Sequence, residues 1–174
     1  MSGLVVRVAE STDAPALSAL VTAFRSHLGA THPTADELAR LLPEAIADGQ
    51  IEFALACFSS NARPDASAEP REALGYTQCR FFRSIWARGF QAHLEDLFVS
   101  APARGNGVGA ALIAFALERA AARHCVSIGL HTNDRNERAH AFYRRAGFEP
   151  QSEARWPGGQ EVFWTRSLSR AAAR

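Results

Sequence analysis

The stretch that decides the fold runs through residues 94–119, which read LEDLFV, SAPA, RGNGVG and AALIAFALER in turn. Residues 97–99 are apolar and favour a strand, and Pro102 marks the end of that strand. Alternate glycines follow in the segment 104–109, and behind them Leu112 and Ala116 stand at helical spacing. The sequence therefore predicts a strand, a tight glycine turn and the first turn of a helix.

This turn is a candidate binding site for a pyrophosphate. The N-terminus of a helix carries amide N–H groups without helical partners and the positive end of the helix dipole, and Arg104 adds a positive charge. A purely structural turn often needs one glycine. Three alternate glycines destabilise a helix start by roughly 0.5–1 kcal/mol each relative to alanine, and that cost favours a functional reason for them.

Two nucleotide-binding classes also use glycine-rich turns. The spacing Gly105-x-Gly107-x-x-Ala110 satisfies the dinucleotide fingerprint, and Asp134 follows the next predicted strand, where a ribose-binding acid would stand. After Asp134, however, the chain supplies one helix and two strands, too few for two nucleotide-binding halves. A Walker-type loop is excluded because no Gly-Lys-Ser/Thr follows the glycines. A dinucleotide-binding oxidoreductase remains a distant alternative.

The segment 104–109, RGNGVG, resembles the Gln/Arg-x-x-Gly-x-Gly/Ala signature of the GNAT superfamily of acyl-CoA-dependent N-acetyltransferases. A second segment, Asn136-x-x-Ala139-x-x-Phe142-Tyr143 followed by Gly147-Phe148, resembles the second signature of the same family. The two segments stand in the order and at the separation that the family uses. The resemblance covers residues 94–148. Within the superfamily, the strand at 94–99 is similar to that of the diamine and thialysine acetyltransferases.

Composition excludes several other classes. The 174 residues suit one domain with a substantial core, and the formal net charge of +1 gives no reason to expect a nucleic-acid partner. No apolar run has the length of a membrane span, and the first residues lack a signal-peptide pattern. The three cysteines are scattered and the six histidines lack metal-ligand spacing, so we expect free thiols, no metal and a cytoplasmic location.

Outside the central stretch, the hydrophobic patterns predict the order β-α-α-β-β-β-α-β-α-β-β. This order indicates an α/β fold with a mixed sheet, in a single domain over residues 1–168 with a frayed tail at 169–174. Residues 59–72 are predicted to form a polar hairpin connection, and Ser11 or Thr12 is expected to cap the first helix. Pro43 is expected to kink or split the second helix. The apolar faces of these two helices are predicted to be Leu17, Leu20, Val21, Phe24 and Leu28, and then Leu38, Leu41 and Leu42.

The resemblance implies a site for acetyl-CoA. Backbone N–H groups of the glycine turn would bind the pyrophosphate, with Arg104 nearby. The strand at 97–99 would pair with the pantetheine amides and splay from the next strand, and a free N–H near Phe98 or Val99 would stabilise the oxyanion. Asn136 resembles the family residue that binds pantetheine. The implied acetyl-CoA residues are Leu97, Phe98, Val99, Arg104, Gly105, Asn106, Gly107, Val108, Gly109, Asn136 and Tyr143.

Two side chains are candidates for the chemistry. An amine must lose a proton before it attacks a thioester, and a carboxylate such as Glu95 can accept it. Strand alternation places Glu95 and Asp96 on opposite faces. Alternatively, Glu95 binds a cationic substrate or forms an ion pair. Tyr143 stands where the family has the tyrosine that protonates the departing thiolate, and otherwise it is a packed helix tyrosine.

The sequence gives the least information about which residues bind the acceptor. By analogy its candidate residues are Phe24, His27, Arg80, Phe82, Trp86 and Trp156. The resulting hypothesis is an acetyl-CoA-dependent N-acetyltransferase that acts on a primary amine of a small molecule by direct attack in a ternary complex. Dimerisation is usual in the family and is expected here. The main alternative is a non-catalytic acyl-CoA-binding regulatory module.

Overall fold

The computed structural model describes residues 3–58, 72–156 and 159–167, with the backbone alone for 151–156, 159–163, 165 and 167. The order of elements is the predicted one, with two added 3-10 turns at Ser11–Asp13 and Ala101–Ala103. The α/β class is therefore confirmed. The predicted connection at 59–71 and the predicted tail at 169–174 lie outside the described residues, and the single-domain boundary stays a prediction.

The elements are β1 (Leu4–Val8), α1 (Ala14–His27), α2 (Ala35–Ala47), β2 (Ile51–Phe58), β3 (Ala73–Ser84), β4 (Gly89–Val99), α3 (Val108–Ala122), β5 (Cys125–Asn133), α4 (Glu137–Arg145), β6 (Glu149–Trp156) and β7 (Gly159–Ser167).

In the described part of the chain, the strands form a mixed sheet in the order β1-β2-β3-β4-β5-β7-β6. Strands β1 and β2 are antiparallel, as are β5 with β7 and β6 with β7. The parallel pair β4 and β5 runs from Phe90 opposite Cys125 to Leu94 opposite Leu130. A parallel pair needs a crossover, and α3 supplies it.

The chain divides into two compact units, and β3 and β4 each contribute to both. The first unit holds residues up to Gln78 together with Asp96–Phe115, and the second holds Cys79–Glu95 and the chain from Ala116 onward. The core of the first unit forms where α1 and α2 bury their apolar faces. Its buried members include Leu17, Leu20, Leu38, Leu42, Phe53, Leu55, Tyr76 and Phe98.

Two residues predicted for the apolar helix faces are exposed instead. Leu28 is 63% exposed because α1 ends at His27, which leaves Leu28 as the cap beyond the last turn. Leu41 is 44% exposed, since it lies about 100° around the helix from the buried Leu42. The core stripe of α2 is therefore narrower than predicted.

The helix starts differ in how well the sequence predicted them. Thr34 caps α2: its hydroxyl accepts from the Glu37 amide at 3.3 Å, and the Glu37 carboxylate accepts from the Thr34 amide at 2.6 Å. That backbone hydrogen bond is the largest of several causes, with the side-chain hydrogen bonds of His32 and Thr34 next, that lower the pKa of Glu37 to about 2. The expected cap of α1 at Ser11 or Thr12 is wrong, because both residues form the 3-10 turn and Asp13 is the cap. Helix α2 is not split at Pro43.

Asp13 also holds β1 to the start of α1. Its carboxylate accepts two hydrogen bonds from the Arg7 guanidinium, at 2.6 and 2.7 Å, and one from the Glu10 amide at 2.8 Å. The side chain of Asp13 is 14% exposed. The hydrogen bond from Arg7 is the main reason that the pKa of Asp13 lies below its usual range.

We expect Asp13→Asn to lower the free energy of unfolding at pH 7 by about 1–3 kcal/mol, the usual contribution of hydrogen bonds to a charged group. A carboxyl with a lowered pKa stabilises the folded state above its unfolded pKa, and this contribution is lost as the pH falls through the folded value. The difference between wild type and variant should therefore shrink below about pH 4. Urea unfolding of both proteins between pH 7 and pH 3 measures it. A difference that stays constant with pH would contradict the assignment.

The second unit buries the inner face of its strands, including Leu94, Ile128, Leu130 and Trp164. The hairpin between β3 and β4 turns at residues 85–88, where Arg88 rather than Gly89 takes the left-handed conformation, with φ of 57°. Helix α4 ends shortly before Gly147, which has φ of 82°, the left-handed conformation common after a helix C-terminus.

The three cysteines Cys57, Cys79 and Cys125 are buried, and none of them forms a disulfide with another described residue. Burial raises the pKa of the Cys125 thiol. Among the described residues, no helix has the length and apolar character of a membrane span.

Candidate active site

The glycine turn lies in the first unit, between the 3-10 turn at Ala101–Ala103 and α3. Gly105 and Gly107 have φ of 84° and 78°, and a Cβ added at either would meet no atom within 4 Å. The left-handed backbone therefore explains why these positions are glycine, and the space beside them is open. Val108, only 1% exposed, anchors the helix start in an apolar cluster with Ala56, Leu74, Ala103 and Leu112.

The amide groups of this turn have no acceptor within the described residues. The first helical hydrogen bond runs from the Ala111 amide to the Gly107 carbonyl at 3.0 Å, and none of the amides of residues 105–110 donates to a backbone or side-chain oxygen there. A row of such N–H groups at the positive end of a 15-residue helix is suited to an anion.

Arg104 ties the turn to the end of β4. Its Nε donates to the Val99 carbonyl at 3.1 Å, and its guanidinium lies 5.9 Å from the centre of the Phe98 ring. The side chain is exposed. The structure thus places Arg104 at the glycine turn in contact with the strand residues Phe98 and Val99.

Strand β3 packs closely behind the end of β4. A Cβ added at Gly75 would lie 2.5 Å from the Phe98 carbonyl oxygen and 3.2 Å from the Val99 Cα. The Ser100 amide donates to the Leu74 carbonyl at 2.9 Å. Gly75 is required here for close approach, so β3 fixes where the backbone of residues 98–99 lies.

A tyrosine–aspartate pair, absent from the sequence analysis, lies beside this strand. The Tyr76 hydroxyl donates to Asp96 at 3.0 Å, and Tyr76 is fully buried. Burial, with the negative charge of Asp96 as a second cause, raises the pKa of the phenol. Phe24 packs on the same group, with ring centres 6.5 Å from Tyr76 and 5.3 Å from Phe98. The signal that could have found the pair is an acid on the apolar face of β4, which needs a buried partner.

In the second unit, Glu95 forms an ion pair with Arg80. The Glu95 Oε1 lies 2.8 Å from the Arg80 Nη2, and the two side chains are 27% and 52% exposed. Glu95 lies on the face opposite the buried Leu94, as strand alternation predicted. Glu95, a predicted catalytic residue, is therefore in direct contact with Arg80, a predicted residue of the acceptor site.

Two histidines that the sequence analysis did not single out share the same sheet face. The His93 Nε2 and the His131 Nδ1 are 3.2 Å apart, and the ring centres are 4.8 Å apart. One step along, Gln91 donates to the Ser127 hydroxyl at 2.9 Å. Because side chains alternate along β4, His93 lies on the same face as Glu95. The local sequence does not show which strand pairs with β4, so the contact with His131 could not be predicted.

Helix α4 carries the remaining candidates. Asn136 caps it, since its side-chain oxygen accepts from the Ala139 amide at 3.1 Å, which leaves its NH2 group as a donor. Tyr143 is half-buried, with ring centres 5.8 Å from Phe148 and 6.3 Å from Trp164. The ring is thus fixed by aromatic neighbours.

The other acceptor candidates are spread over both units. In the first unit, His27 is exposed in the last turn of α1. In the second, Phe82 is 37% exposed on β3, and Trp86 is 97% exposed in the hairpin turn between β3 and β4. The Trp156 side chain lies outside the described residues. Among the described residues, no group of His, Cys, Asp or Glu could hold a metal ion.

A mixed α/β sheet with a glycine turn at the start of a crossover helix agrees with the fold that the sequence resemblance implies. The model of the acetyltransferase (GNAT) family matches residues 34–148, which is more than half of the chain. The chain therefore belongs to the acetyltransferase (GNAT) family.

The chain is also similar to individual proteins, to one in sequence and to others in fold. The chain is 33% identical over 91 residues to the thialysine N-epsilon-acetyltransferase of Bos taurus, across 51% of this chain and 53% of that protein. It thus spans about half the length of this curated relative. A transcriptional regulator from Bacillus halodurans C-125 has the same fold, with a TM-score of 0.72, 23% identity and coverage of 89% and 99%. Arabidopsis thaliana NAA60 in complex with acetyl-CoA superposes with a TM-score of 0.68, 16% identity and coverage of 95% and 99%.

Proposed function

We propose that the protein transfers an acetyl group from acetyl-CoA to a primary amine of a small molecule, by direct attack in a ternary complex. The observation that carries this proposal is the glycine turn with its row of unbonded amides at the start of α3. The turn fits a pyrophosphate, because these amides have no acceptor among the described residues and the space beside Gly105 and Gly107 is open.

The residues proposed to bind acetyl-CoA belong to this turn, to β4 and to α4. The amides of residues 105–109 hold the pyrophosphate, with Arg104 beside them. Backbone groups of Leu97, Phe98 and Val99 pair with the pantetheine amides, and one N–H stabilises the oxyanion. The NH2 group of Asn136 is the proposed donor to the pantetheine. The close contact of Gly75 with Phe98 supports this arrangement, since it fixes the strand backbone.

Glu95 and Tyr143 are the proposed catalytic side chains. Glu95 engages the acceptor amine, either as the base for its proton or as the binding partner of its charge. Tyr143 gives a proton to the CoA thiolate as the C–S bond breaks. A phenol with an ordinary pKa of about 10 is protonated at neutral pH and suits a thiol leaving group.

The acceptor is proposed to be a small cationic molecule. The thialysine acetyltransferase relative is named for an amino-acid substrate, and the exposed ion pair of Arg80 and Glu95 offers both charges to such a molecule. Phe24, His27, Phe82, Trp86 and Trp156 stay proposed lining residues. A cytoplasmic homodimer is the proposed state of the protein.

A thermal-shift titration tests the ligand class first. Acetyl-CoA and CoA should both raise the melting temperature, by mass action on the folded state, whereas NADH should not. Release of the CoA thiol is then measured across a panel of diamines, amino acids and monoamines. Stabilisation by NADH alone would revive the dinucleotide alternative. Binding of acetyl-CoA without thiol release for any amine would favour the regulatory module.

Tyr143→Phe is expected to lower kcat about tenfold, while the KM for acetyl-CoA stays unchanged. The effect is smaller than that of most general acids, because a thiolate leaves readily even before it is protonated. The phenyl ring keeps the contacts with Phe148 and Trp164, so the fold is retained. Steady-state kinetics of thiol release measure the change. Wild-type kcat in this variant would remove Tyr143 from the mechanism.

A further inference from the structure

The hairpin that joins β3 and β4 in the second unit has an exposed apolar tip. Its turn covers residues 85–88, where Ile85 is 88% exposed and Trp86 is 97% exposed. Phe82 and Phe90, on the strands beside the turn, are exposed as well. More than half of the large apolar residues that are exposed in the described part of the chain therefore belong to this one hairpin. Such a cluster indicates a surface that contacts an apolar partner.

The turn has a defined, hydrogen-bonded conformation. The Ala87 amide donates to the Ser84 hydroxyl at 3.1 Å, and the Arg88 amide donates to the Ile85 carbonyl, also at 3.1 Å. Arg88 has φ of 57°, a left-handed conformation that is uncommon for a residue other than glycine. The exposure of Ile85 and Trp86 is thus a property of a closed turn that presents both side chains outward.

Basic side chains surround this tip. Arg83 and Arg88 flank it, and the sequence 79–94 contains no Asp or Glu. Strands β4 and β5 are parallel, so the turn before β5 lies at the same end of the sheet as the hairpin. That turn contributes Arg123, whose guanidinium lies 4.1 Å from the centre of an aromatic ring on β3. The sequence 119–133 also contains no acid, so this end of the sheet has a positive charge.

The size of the tip argues for a lipid surface over a protein partner. Two side chains as large as Ile85 and Trp86 present roughly 400 Å² together at full exposure. A stable protein interface buries about 800 Å² on each partner, so the tip alone is too small to hold a second copy of this chain. A lipid surface needs no matching groove, because apolar side chains enter it at the boundary between headgroups and acyl chains.

The types of side chain also match a lipid surface. Tryptophan is enriched at membrane–water interfaces, where its ring lies at the level of the headgroups. An isoleucine gains from burial among acyl chains, whereas it gains nothing from the phosphates of a nucleic acid. Arginines near an anionic bilayer are attracted by its negative surface potential. Because the formal net charge of the whole chain is only +1, this attraction depends on the local charge around the tip.

We propose that the β3–β4 hairpin binds the protein to an anionic lipid surface. Ile85 and Trp86 enter the headgroup region, and Arg83 and Arg88 contact the negative charges of the headgroups. The binding is peripheral and reversible, since two side chains supply far less apolar area than a membrane-spanning helix. It requires neither acetyl-CoA nor an amine, so the inference goes beyond the proposed function and is independent of it.

The test is co-sedimentation of the protein with vesicles of phosphatidylcholine that contain either no anionic lipid or about 30% phosphatidylserine. We expect binding to the anionic vesicles, weakened by added salt. The variant R83Q/R88Q should lower the partition coefficient about 30-fold, and Ile85→Ser should lower it at least about tenfold. Neither variant changes Trp86, which is also a candidate for the acceptor site. Because all three residues are exposed, both variants should keep the wild-type melting temperature.

Two control variants match these changes elsewhere on the surface. R40Q/R138Q removes the same charge from exposed positions on α2 and α4. Leu28→Ser removes an apolar side chain that is 63% exposed beyond the end of α1. Both controls should bind anionic vesicles as wild type does. If they lose as much binding as the hairpin variants, the proposal is overturned.

Tryptophan fluorescence reports the position of the tip directly. The emission should shift to shorter wavelength when anionic vesicles are added, and Trp86→Phe should abolish this shift. Wild type that binds no anionic vesicles, or binds them without a shift, would overturn the proposal. A dimer that forms without vesicles and that Ile85→Ser dissociates would also overturn it, by assigning the tip to a second copy. The proposed function fails on a different result, the lack of any thermal shift with acetyl-CoA or CoA.

Discussion

Replacement of Gly107 by valine is expected to weaken acetyl-CoA binding by at least about 100-fold, or roughly 2.7 kcal/mol. Gly107 has φ of 78°, where a residue with a Cβ is strained by about 1–2 kcal/mol and a β-branched one by more. The valine side chain would also occupy the open space beside Gly107. Isothermal titration calorimetry with acetyl-CoA measures the loss.

Gly29→Val is the matched control for this substitution. Gly29 has φ of 70° and no atom within 4 Å of an added Cβ, so the backbone strain and the free space are comparable. It follows α1 and lies outside the proposed site. We expect both variants to lose similar free energy of unfolding, and only Gly107→Val to lose affinity. Equal affinities in the two variants would show that the turn does not bind the co-substrate.

Replacement of Gly75 by alanine is expected to lower kcat/KM about 100-fold and to destabilise the fold by about 1–3 kcal/mol, the usual cost of overpacking. The new methyl group would lie 2.5 Å from the Phe98 carbonyl oxygen, a backbone atom that can move only with β4. A shift of that strand would displace the proposed oxyanion donor near residues 98–99. A misplacement of about 1 Å is enough for a loss of this size. Kinetics and urea unfolding measure the two effects separately.

Gly49→Ala provides the comparison for Gly75→Ala. An added Cβ at Gly49 meets nothing within 4 Å, and this position has no left-handed φ. This variant should keep full activity and wild-type stability or slightly more, since alanine reduces the entropy of the unfolded chain. Wild-type activity in Gly75→Ala would mean that β4 adapts without loss and that its exact position matters little.

Local sequence patterns were sufficient to predict the elements around the glycine turn. The left-handed glycines Gly105, Gly107 and Gly147 each occur where the backbone requires them, and hydrophobic periodicity located the helices between them. The motif order 104–109 and 136–148 was sufficient to predict the family, which the family match confirms. The residue roles within the site stay predictions.

The remaining features depend on contacts between distant parts of the chain. Local spacing predicted a cap at Ser11 or Thr12, but the ion pair with Arg7 draws Asp13 into that position. Similarly, His93 meets His131 because of the register of β4 with β5, which no single strand encodes. The site therefore differs from its prediction where strand pairing, rather than a local motif, selects the neighbours.

The burial of all three cysteines has a practical consequence for the chemistry of the protein in solution. Disulfide and maleimide reagents react with the thiolate, and burial both shields these thiols and disfavours ionisation at Cys125. The folded protein should therefore consume a thiol reagent slowly and the unfolded protein should consume three equivalents quickly. A thiol reagent can thus measure the CoA released by the reaction against a low background from the protein. In the absence of substrates, the amount of reagent that the protein consumes reports the fraction of unfolded molecules.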